Sequence, residues 1–440
     1  MKISKFYNEE LVDYASYSTL RMIGSVIDGM KNSHRKVIAT VSARNVVKES
    51  KVSQLASQVA QDQEYLHGDV SLQGVIVNLA ANYLGTNNMN MLEPAGNFGT
   101  RFTPEASAPR YIYTHKSKYF DYLFNKDDNE ILIKQTFEGH KIEPKFYLPS
   151  LPMLLVNGSE GMATGFAQKI LPRDPKNVEK YLKNKLTNKK NSSKLLNPQY
   201  AGFKGTIKST GEEGSWEIIG LFERTTKTKI RITEVPVGYS LKGYIKVLDR
   251  LEEDSFIMNY TDMSEDDNFL FEVTMKRDIL GSLSDEKILE KFKLIKRVTE
   301  NYTTIDANNR VRVFNNVGEI FDYYYDVKVE YLIKRIKYKI GKIEYEIRRL
   351  ASTYLFIKAI VDDKLIINKR KKAEIEKDLE SFEKISKEDG SYDYLLRMPI
   401  HSLTKEKMEE LMNKIKGKKE ELDYYKKTTP EMEWLKDLEK

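Results

Sequence analysis

The segment SAPRYIYTHK, residues 107–116, places two tyrosines among basic side chains: Arg110 directly precedes Tyr111, and Tyr113 is followed by a histidine and a lysine. A tyrosine phenol can attack a phosphodiester, and the phosphotyrosyl ester that forms keeps the bond energy for resealing. Because a free phenol has a pKa of about 10, the attack needs a proton acceptor and cations that stabilise charge at phosphorus. The segment therefore predicts a tyrosine nucleophile. It leaves open whether Tyr111 or Tyr113 attacks, and ordinary packing is the alternative for Tyr113.

Two further stretches offer side chains that could bind a phosphate. His67 lies in the LHGD turn, where it could position a phosphate or relay a proton if the fold brings this turn close. The stretch DGMKNSHRKVI, residues 28–38, holds four potential cations within six residues, namely Lys31, His34, Arg35 and Lys36. Phosphate contact and a plain solvated face are the two interpretations of this cluster.

The composition narrows the class of protein. At about 150 residues per domain, 440 residues suggest two to four domains, and the net charge of +7 favours a polyanionic partner. The chain has no cysteine, which excludes disulfides and thiolate metal sites, and its five histidines include no pair with zinc spacing. No apolar run approaches the roughly 18–20 residues of a membrane span. The sequence thus predicts a cytoplasmic protein that contacts no membrane and binds no metal by itself.

The elements that must position these residues are of three kinds. Residues 1–128 indicate short helices, and the segments 53–63 and 70–84 form either a helix-turn-helix or a plain helical hairpin. Residues 129–325 indicate mixed structure, with strands predicted at 151–158, 215–220, 228–235 and 268–275. The fold class expected is α+β with several domains.

Residues 326–440 have the pattern of a coiled coil. Nine apolar positions recur in steps of four and three, namely Val329, Ile333, Ile336, Ile340, Ile343, Ile347, Leu350, Tyr354 and Ile357. This seam would extend over about 43 Å as a helix and needs a partner. The segment 405–427 offers one, which predicts a long antiparallel coiled coil with a compact helical knob at about 360–404 between its arms. Thr429 and Pro430 are predicted to start a last helix.

Taken in their order along the chain, several motifs resemble the DNA breakage-reunion part of type IIA DNA topoisomerases. They are DGMKNSHRKVI, the stretch from YLHGDVSLQG to GNFGTR, SAPRYIYT, LLVNGSEGMATGFA, YDYLLRMPIHSLTKEKMEEL and EMEWLKDLEK. The resemblance covers nearly the whole chain, and the last two motifs are similar to the eukaryotic-like branch. In length and arrangement the chain most resembles the DNA-cleaving medium subunit of T-even-type phage topoisomerases.

The resemblance implies a role for each candidate residue. Tyr111 would be the nucleophile, Arg110 would stabilise the phosphate, and His67 would lie near the scissile phosphate. Met162, where the family has an isoleucine, would insert between base pairs and bend the DNA, with core packing as the alternative. The other implied DNA-binding residues are Lys31, His34, Arg35, Lys36, Asn97, Arg101 and Asn157. The chain also departs from the family at Asn32, where proline is usual.

The resemblance also implies an architecture and partners. It implies a winged-helix domain (1–128), an α/β tower domain (129–325) and a coiled coil with an exit-gate dimerisation knob (326–440), acting as a homodimer on double-stranded DNA. We find no Gly-Lys-Ser/Thr phosphate loop and no Glu plus Asp-x-Asp metal cluster in the sequence. ATP and Mg²⁺ are therefore expected on a partner subunit, in the cytoplasm of a host cell if the protein is phage-encoded. The function implied is ATP-dependent double-strand cleavage, strand passage and religation.

Two other classes of protein are weighed against this interpretation. A non-catalytic helix-turn-helix and coiled-coil DNA-architectural protein would explain the charge and the seam, but not Arg110 and Tyr111 in order with the other motifs. A tyrosine recombinase would need a tyrosine near the C-terminus, with arginines and a histidine widely spaced before it. Here the candidate tyrosine lies in the first third of the chain.

Overall fold

The computed structural model describes residues 3–439, except for the side chain of Ser4. The chain divides into two compact units, Met1–Lys328 with Leu435–Lys440, and Val329–Trp434. Both helices and sheets are present, so the predicted α+β class is confirmed. The boundaries of the three predicted domains stay a prediction.

Helices are numbered here in chain order. Those that begin in the first unit are α1 (Ile3–Lys5), α2 (Leu11–Met22), α3 (Asn32–Ala43), α4 (Val52–Asp62), α5 (Asp69–Ala80), α6 (Phe120–Leu123), α7 (Met153–Asn157), α8 (Pro175–Leu186), α9 (Leu241–Glu253), α10 (Arg277–Ser282), α11 (Asp285–Lys291) and α12 (Val317–Val361). The second unit adds α13 (Lys372–Glu380), α14 (Asp393–Leu396), α15 (Lys405–Lys427) and the start of α16 (Pro430–Asp437). Tighter 3₁₀ turns occupy Lys126–Glu130, Ser193–Leu196 and Ile400–Ser402, and a π-helical turn occupies Phe6–Glu10.

The strands found among the described residues all belong to the first unit. They are β1 (Ser50–Lys51), β2 (Leu92–Ala95), β3 (Tyr113–Lys116), β4 (Lys134–Phe137), β5 (His140–Pro144), β6 (Ser159–Ala163), β7 (Phe166–Ile170), β8 (Thr206–Ser209), β9 (Ser215–Ile219), β10 (Leu221–Arg224), β11 (Lys229–Glu234), β12 (Asn259–Asp262), β13 (Phe271–Thr274), β14 (Ile295–Thr299), β15 (Thr303–Ile305) and β16 (Val311–Val313). They pair antiparallel in the orders β1-β3-β2, β10-β11-β13-β12, β14-β9-β8, β15-β16, β4-β5 and β6-β7.

The predicted helices at 53–63 and 70–84 are confirmed as α4 and α5, which pack with α3 near the small sheet β1-β3-β2. On α5 the side chains of Leu72, Ile76 and Leu79 are buried, and their i, i+4 and i+7 spacing places them on one face of the helix. The helix ends at Ala80, four residues before the end of the predicted segment 70–84.

Three of the four predicted strands are confirmed, as β9, β11 and β13. On β11, Ile230 and Ile232 are buried while their neighbours are partly exposed, which is the alternation expected of a strand. The predicted strand at 151–158 is wrong, because Met153–Asn157 form a turn of helix with four buried side chains. A short continuous apolar run does not distinguish a buried helical turn from a buried strand.

The second unit contains most of α12, whose 45 residues correspond to roughly 68 Å of helix. Helix α15 runs antiparallel to it, as shown by ion pairs from Lys426 to Glu344 (3.0 Å) and from Lys418 to Glu346 (2.9 Å). The apolar seam deviates from the prediction at one end, since Ile333 is 40% exposed and Leu332 is buried instead.

The remaining helices of this unit, α13 and α14, lie between α12 and α15 in the chain and share one core with them. That core includes Phe356, Ile357, Leu379, Leu395 and Leu411. The predicted helix start at Thr429 is confirmed, because its Oγ1 accepts a hydrogen bond from the Met432 N–H (3.3 Å) and Pro430 is the first helical residue.

Two kinds of feature are missing from residues 3–439. None of their helices combines the length and the apolar character that a membrane crossing requires. No three histidine, aspartate or glutamate side chains in this range lie close enough together to hold a metal ion.

Candidate active site and nucleic-acid interface

Tyr111 lies in a tight turn directly before β3, and this turn is held by the start of helix α4. The first N–H groups of a helix have no partner within the helix. Here the Val52 N–H donates to the carbonyl of Ile112 (3.0 Å), and the Ser53 N–H donates to the carbonyl of Pro109 (3.2 Å). Ile112 is buried, whereas the neighbouring Tyr111 is 69% exposed. The turn thus presents the phenol to solvent from a fixed backbone.

The two candidate tyrosines occupy different environments. The Tyr111 hydroxyl makes no hydrogen bond within the described part of the chain, and the exposed Arg110 places its Cζ 5.4 Å from the Tyr111 ring centroid. Tyr113 is partly buried in the central strand β3, where it pairs with Lys51 and Ala95. The geometry favours Tyr111 as the attacking group and a packing role for Tyr113.

His67 is exposed just before helix α5, and its hydrogen-bond partner is another tyrosine. The Tyr17 hydroxyl lies 2.7 Å from His67 Nε2, and the ring of Tyr65 contacts the imidazole edge to face at 5.3 Å. Desolvation and then the charges of Arg21 and Lys36 lower the pKa of His67. A neutral imidazole is therefore favoured at neutral pH. The structure does not join His67 to Tyr111 by a hydrogen bond.

Sequence reasoning missed Tyr17 and Arg21, which lie near His67 on helix α2. Their spacing of four residues places them on one face of that helix, which is a signal that the sequence does contain. Nothing in the sequence indicated that this face would meet a turn fifty residues away.

The predicted cation cluster at 31–36 is not one exposed face. The Arg35 guanidinium is buried and donates two hydrogen bonds to Asp28, from Nε to Oδ2 (2.8 Å) and from Nη2 to Oδ1 (3.1 Å). Asp28 Oδ1 also accepts from the Met30 N–H (3.0 Å), and Asp28 Oδ2 accepts from the Tyr147 N–H (2.9 Å). Arg35 therefore fixes the local backbone, and in this structure it presents no guanidinium face to DNA.

The other members of the cluster are also used internally. Lys36 Nζ donates to the carbonyl of Gln63 (2.6 Å) and to Glu143 Oε2 (2.8 Å). Burial, reinforced by the charges of Lys31 and Arg35, lowers the pKa of His34 to about 3, so this side chain is uncharged at neutral pH. The expectation of four cations is corrected to three, and DNA contact by His34 or Lys36 stays a prediction.

Lys31 connects this cluster to the hairpin β6–β7. Its Nζ donates to the carbonyl of Glu160 on β6 (2.9 Å), and burial lowers its pKa. The same hairpin approaches the end of α2 so closely that a Cβ at Gly161 would collide with the carbonyl oxygen of Met22. Only glycine fits at position 161 without a shift of the backbone.

The Gly-rich turn after β2 holds one exposed and one buried candidate. Asn97 is exposed, and its Oδ1 accepts a hydrogen bond from the Gly99 N–H (2.9 Å). Arg101 is buried, where it pairs with Glu234 (2.5 Å) and donates to the carbonyl of Val235 (2.7 Å). This arginine ties the turn to strand β11 and has no exposed face for DNA in this structure.

Met162 lies on the hairpin β6–β7 opposite Ala167 and is 78% exposed, so the core-packing alternative is wrong. Phe166 on the same hairpin is 42% exposed. Asn157 fixes the base of the hairpin, because its side chain both accepts from the N–H of Met89 and donates to the carbonyl of Met89, each at 2.8 Å. The hairpin thus presents a flexible apolar side chain to solvent from a fixed base.

Comparison with known proteins decides the family. Residues 21–439 match the family model for the A subunit of DNA gyrase/topoisomerase IV. The chain belongs to this family. It is 34% identical over 482 residues to DNA topoisomerase 2 of Plasmodium falciparum, covering 99% of this chain and 34% of that protein. It is 32% identical to the mitochondrial DNA topoisomerase 2 of Dictyostelium discoideum, again covering 99% and 34%.

A solved structure shows the same relationship in three dimensions. The Plasmodium falciparum topoisomerase II DNA-binding, cleavage and re-ligation domain superposes with a TM-score of 0.87 at 34% identity, covering 99% of this chain and 63% of that chain. This chain spans about a third of the length of the curated relatives it matches. The relatives named here are eukaryotic topoisomerases, so the likeness to a phage medium subunit stays a prediction.

Proposed function

We propose that this chain cleaves and religates double-stranded DNA for a type II DNA topoisomerase, with Tyr111 as the nucleophile. One observation carries the proposal. In a member of this family, the tyrosine that directly follows the predicted phosphate-binding arginine is exposed, its hydroxyl makes no hydrogen bond among the described residues, and its turn is fixed by the start of α4. An exposed nucleophile on a rigid turn can meet a phosphate without reorganisation of the backbone.

The proposed reaction is a transesterification. The phenolic oxygen of Tyr111 forms a bond to phosphorus, the bond from phosphorus to a sugar oxygen breaks, and a water molecule or the protonated base gives that oxygen a proton. The phenol proton passes to a base, for which neutral His67 or a water molecule beside it is suited. Arg110, exposed next to the ring, can bind the phosphate oxygens as their charge grows. Reversal of the same steps reseals the strand.

The binding of bent DNA is part of the proposal. The exposed Met162 forms an apolar wedge that can enter a base step and kink the duplex. Lys31, held beside this hairpin, and the exposed Asn97 are the other predicted contacts that lie near the surface.

The finer architecture follows the same proposal. The sheet β1-β3-β2 with α3, α4 and α5 would be the winged-helix domain, the sheets from β8 to β14 would form the tower, and α12 with α15 would be the coiled coil. The knob at about 360–404 would dimerise two copies, which is supported by Ile366 and Ile400, exposed by 62% and 84%. Exposed apolar side chains of this kind are typical of an interface.

Two cofactors would be bound outside this chain. We propose that ATP hydrolysis and the Mg²⁺ that assists the leaving oxygen come from another part of the enzyme, as in the split phage topoisomerases, in the cytoplasm of the host cell. A DNA-architectural protein is the second candidate function, because the exposed Met162 would serve DNA bending equally well without cleavage.

A comparison of two variants tests the proposal. Tyr111→Phe should abolish the covalent protein–DNA adduct and the double-strand break in the presence of Mg²⁺ and the complementing ATPase part, while DNA binding is retained. Tyr113→Phe, two residues away, is the matched control and should still form the adduct. An adduct that persists in Tyr111→Phe would refute the assignment, and no adduct in the unchanged protein would favour the architectural function.

A further inference from the structure

A lysine-rich surface lies outside the site described above. Residues 175–194, which comprise α8 and the loop after it, contain seven lysines and one glutamate, a net charge of +6. The whole chain carries +7, so the remaining residues hold 65 basic and 64 acidic side chains and are almost neutral. The net charge of this segment is thus nearly as large as that of the whole chain.

Most of these lysines have no counter-charge within the described chain. Lys183 pairs with Glu179 (2.6 Å), and Lys185 pairs with Asp322 on α12. The other five are exposed and have no acidic partner among residues 3–439, namely Lys176, Lys180, Lys189, Lys190 and Lys194.

The backbone that carries the lysines is fixed. Asp174 caps α8 by accepting hydrogen bonds from the N–H groups of Lys176 (2.7 Å) and Asn177 (3.3 Å). In the loop, the Asn191 side chain donates to the carbonyl of Tyr181 (2.9 Å), and the Tyr181 ring packs on Phe321 with centroids 4.7 Å apart. The inner face of α8 is buried through Val178, Leu182 and Leu186. The lysines are thus presented by a rigid surface.

Helix α15 shows what an ordinary solvated face looks like in the same protein. It contains eight lysines but also six acidic residues. Four of its eight lysines are paired, and Glu410 alone pairs with both Lys407 (2.7 Å) and Lys414 (2.6 Å). On α8, by contrast, Lys176 and Lys180 lie one turn apart, and like charges at this spacing repel each other. The missing counter-charge points to an anionic ligand.

We propose that residues 175–194 bind the phosphate backbone of a second DNA duplex, separate from the duplex held at Tyr111. The proposal rests on the proposed function, which brings DNA to this chain. The elements around the two surfaces differ, because α8 packs on Phe321 at the start of α12 whereas the Tyr111 turn is held by α4. Duplex DNA carries one negative charge per about 1.7 Å of its axis, which suits a row of unpaired ammonium groups and needs no base sequence.

The test uses two triple variants of the full chain in complex with the other parts of its enzyme. The first, Lys180→Gln with Lys189→Gln and Lys190→Gln, removes three charges from the proposed surface. The control, Lys405→Gln with Lys416→Gln and Lys419→Gln, removes three exposed charges from α15. Each protein is loaded with a short immobilised duplex, and capture of a second, fluorescent duplex is measured over a range of salt concentrations.

The first variant should retain loading and adduct formation with the short duplex, while capture of the second duplex weakens about tenfold or more at low salt. The slope of log K for this capture against log salt concentration should become shallower by up to about three. The control variant should capture the second duplex as the unchanged protein does. Equal capture by both variants would overturn the proposal. A loss confined to loading of longer first duplexes would assign the lysines to the arms of the cleaved DNA and overturn it too. Failure of the unchanged protein to form an adduct would count against the proposed function, not against this surface.

Discussion

The Tyr111 turn and the segment from residue 28 to 36 carry similar side chains and use them in opposite ways. In the turn, Arg110 and Tyr111 are exposed and make no ion pair within the described residues. In the segment, Arg35 is buried against Asp28, and Lys36 is held by Glu143. The Tyr111 turn leaves its charge available for a substrate, whereas the segment from residue 28 to 36 uses its charges to fix the local backbone.

The contrast separates two ways in which basic residues serve this protein. An exposed guanidinium keeps its donors for phosphate oxygens, at no cost in burial. A buried guanidinium must be paired inside the chain. Removing either the guanidinium or its partner is therefore expected to lower the stability of the fold. Arg101, paired with Glu234, belongs with Arg35 in the second group. Variants of each group should therefore fail in different measurements.

The largest effect is expected from breaking the buried pair. Asp28→Ala leaves the Arg35 guanidinium buried without its carboxylate partner, which should lower the free energy of unfolding by about 3–5 kcal/mol. Arg297→Ala removes one partner of an exposed pair with Glu217 and should change stability by less than about 1 kcal/mol. Urea unfolding of both variants measures the difference. Equal losses of unfolding free energy would show that the buried pair of Asp28 and Arg35 contributes no more to stability than an exposed pair.

A dependence on pH should come from His34. The pKa of His34 is about 3 in the folded chain and near 6.5 in the unfolded chain. At a pH between these two values, the unfolded state therefore binds one more proton than the folded state. Stability should therefore fall as the pH drops from about 6.5 towards 3, and this group contributes about 3 kcal/mol of the loss by pH 4. His34→Gln should flatten this part of the profile in thermal unfolding measured against pH. If His34→Gln and the unchanged protein had the same profile of stability against pH, His34 would not be the source of this pH dependence.

An intermediate effect is expected at the exposed hairpin. Met162→Ala should raise the free energy of the bent state of bound DNA, relative to the unbent state, by about 2 kcal/mol. This is the value of burying one methionine side chain, and the variant loses that inserted surface. Binding of a short unbent duplex and the stability of the protein should change little, since the side chain is 78% exposed. Fluorescence energy transfer across a doubly labelled duplex measures the bend. Unchanged bending would remove Met162 from the wedge.

The smallest effect is expected from Tyr17. Tyr17→Phe removes the hydroxyl that hydrogen-bonds His67 Nε2, at a cost of about 0.5–1.5 kcal/mol in imidazole positioning. Cleavage should slow by roughly 2–10-fold, and its pH profile should shift because the His67 imidazole loses a hydrogen-bond partner that interacts differently with its neutral and charged forms. Tyr14→Phe on the same helix, also exposed, is the control. A slower reaction with an unchanged pH profile would indicate a structural effect only.

The sequence predicted some of this well because the signal was local. The helices α4 and α5 and the strand β11 follow from side-chain periodicity, which is decided within the element itself. The helical turn at 153–157 was missed because four consecutive apolar residues are buried in either structure. The burial of Arg35 and Arg101 was missed because their carboxylate partners are not identified by spacing alone.

Tyr17 was missed for a related reason. Its contact with His67 joins a helix to a turn fifty residues further along the chain, and only the fold brings them together. The exposure of Met162 is equally a property of the hairpin, since the sequence alone allowed both core packing and a wedge.

The most direct test of the central claim is to map the covalent adduct. The unchanged protein is incubated with circular duplex DNA, Mg²⁺ and the complementing ATPase part, the adduct is trapped, and its peptides are analysed by mass spectrometry. We expect the attached nucleotide on Tyr111, within the peptide that also contains Arg110 or begins just after it. A nucleotide on Tyr113 or on any other residue, or no nucleotide-bearing peptide at all, would contradict the account.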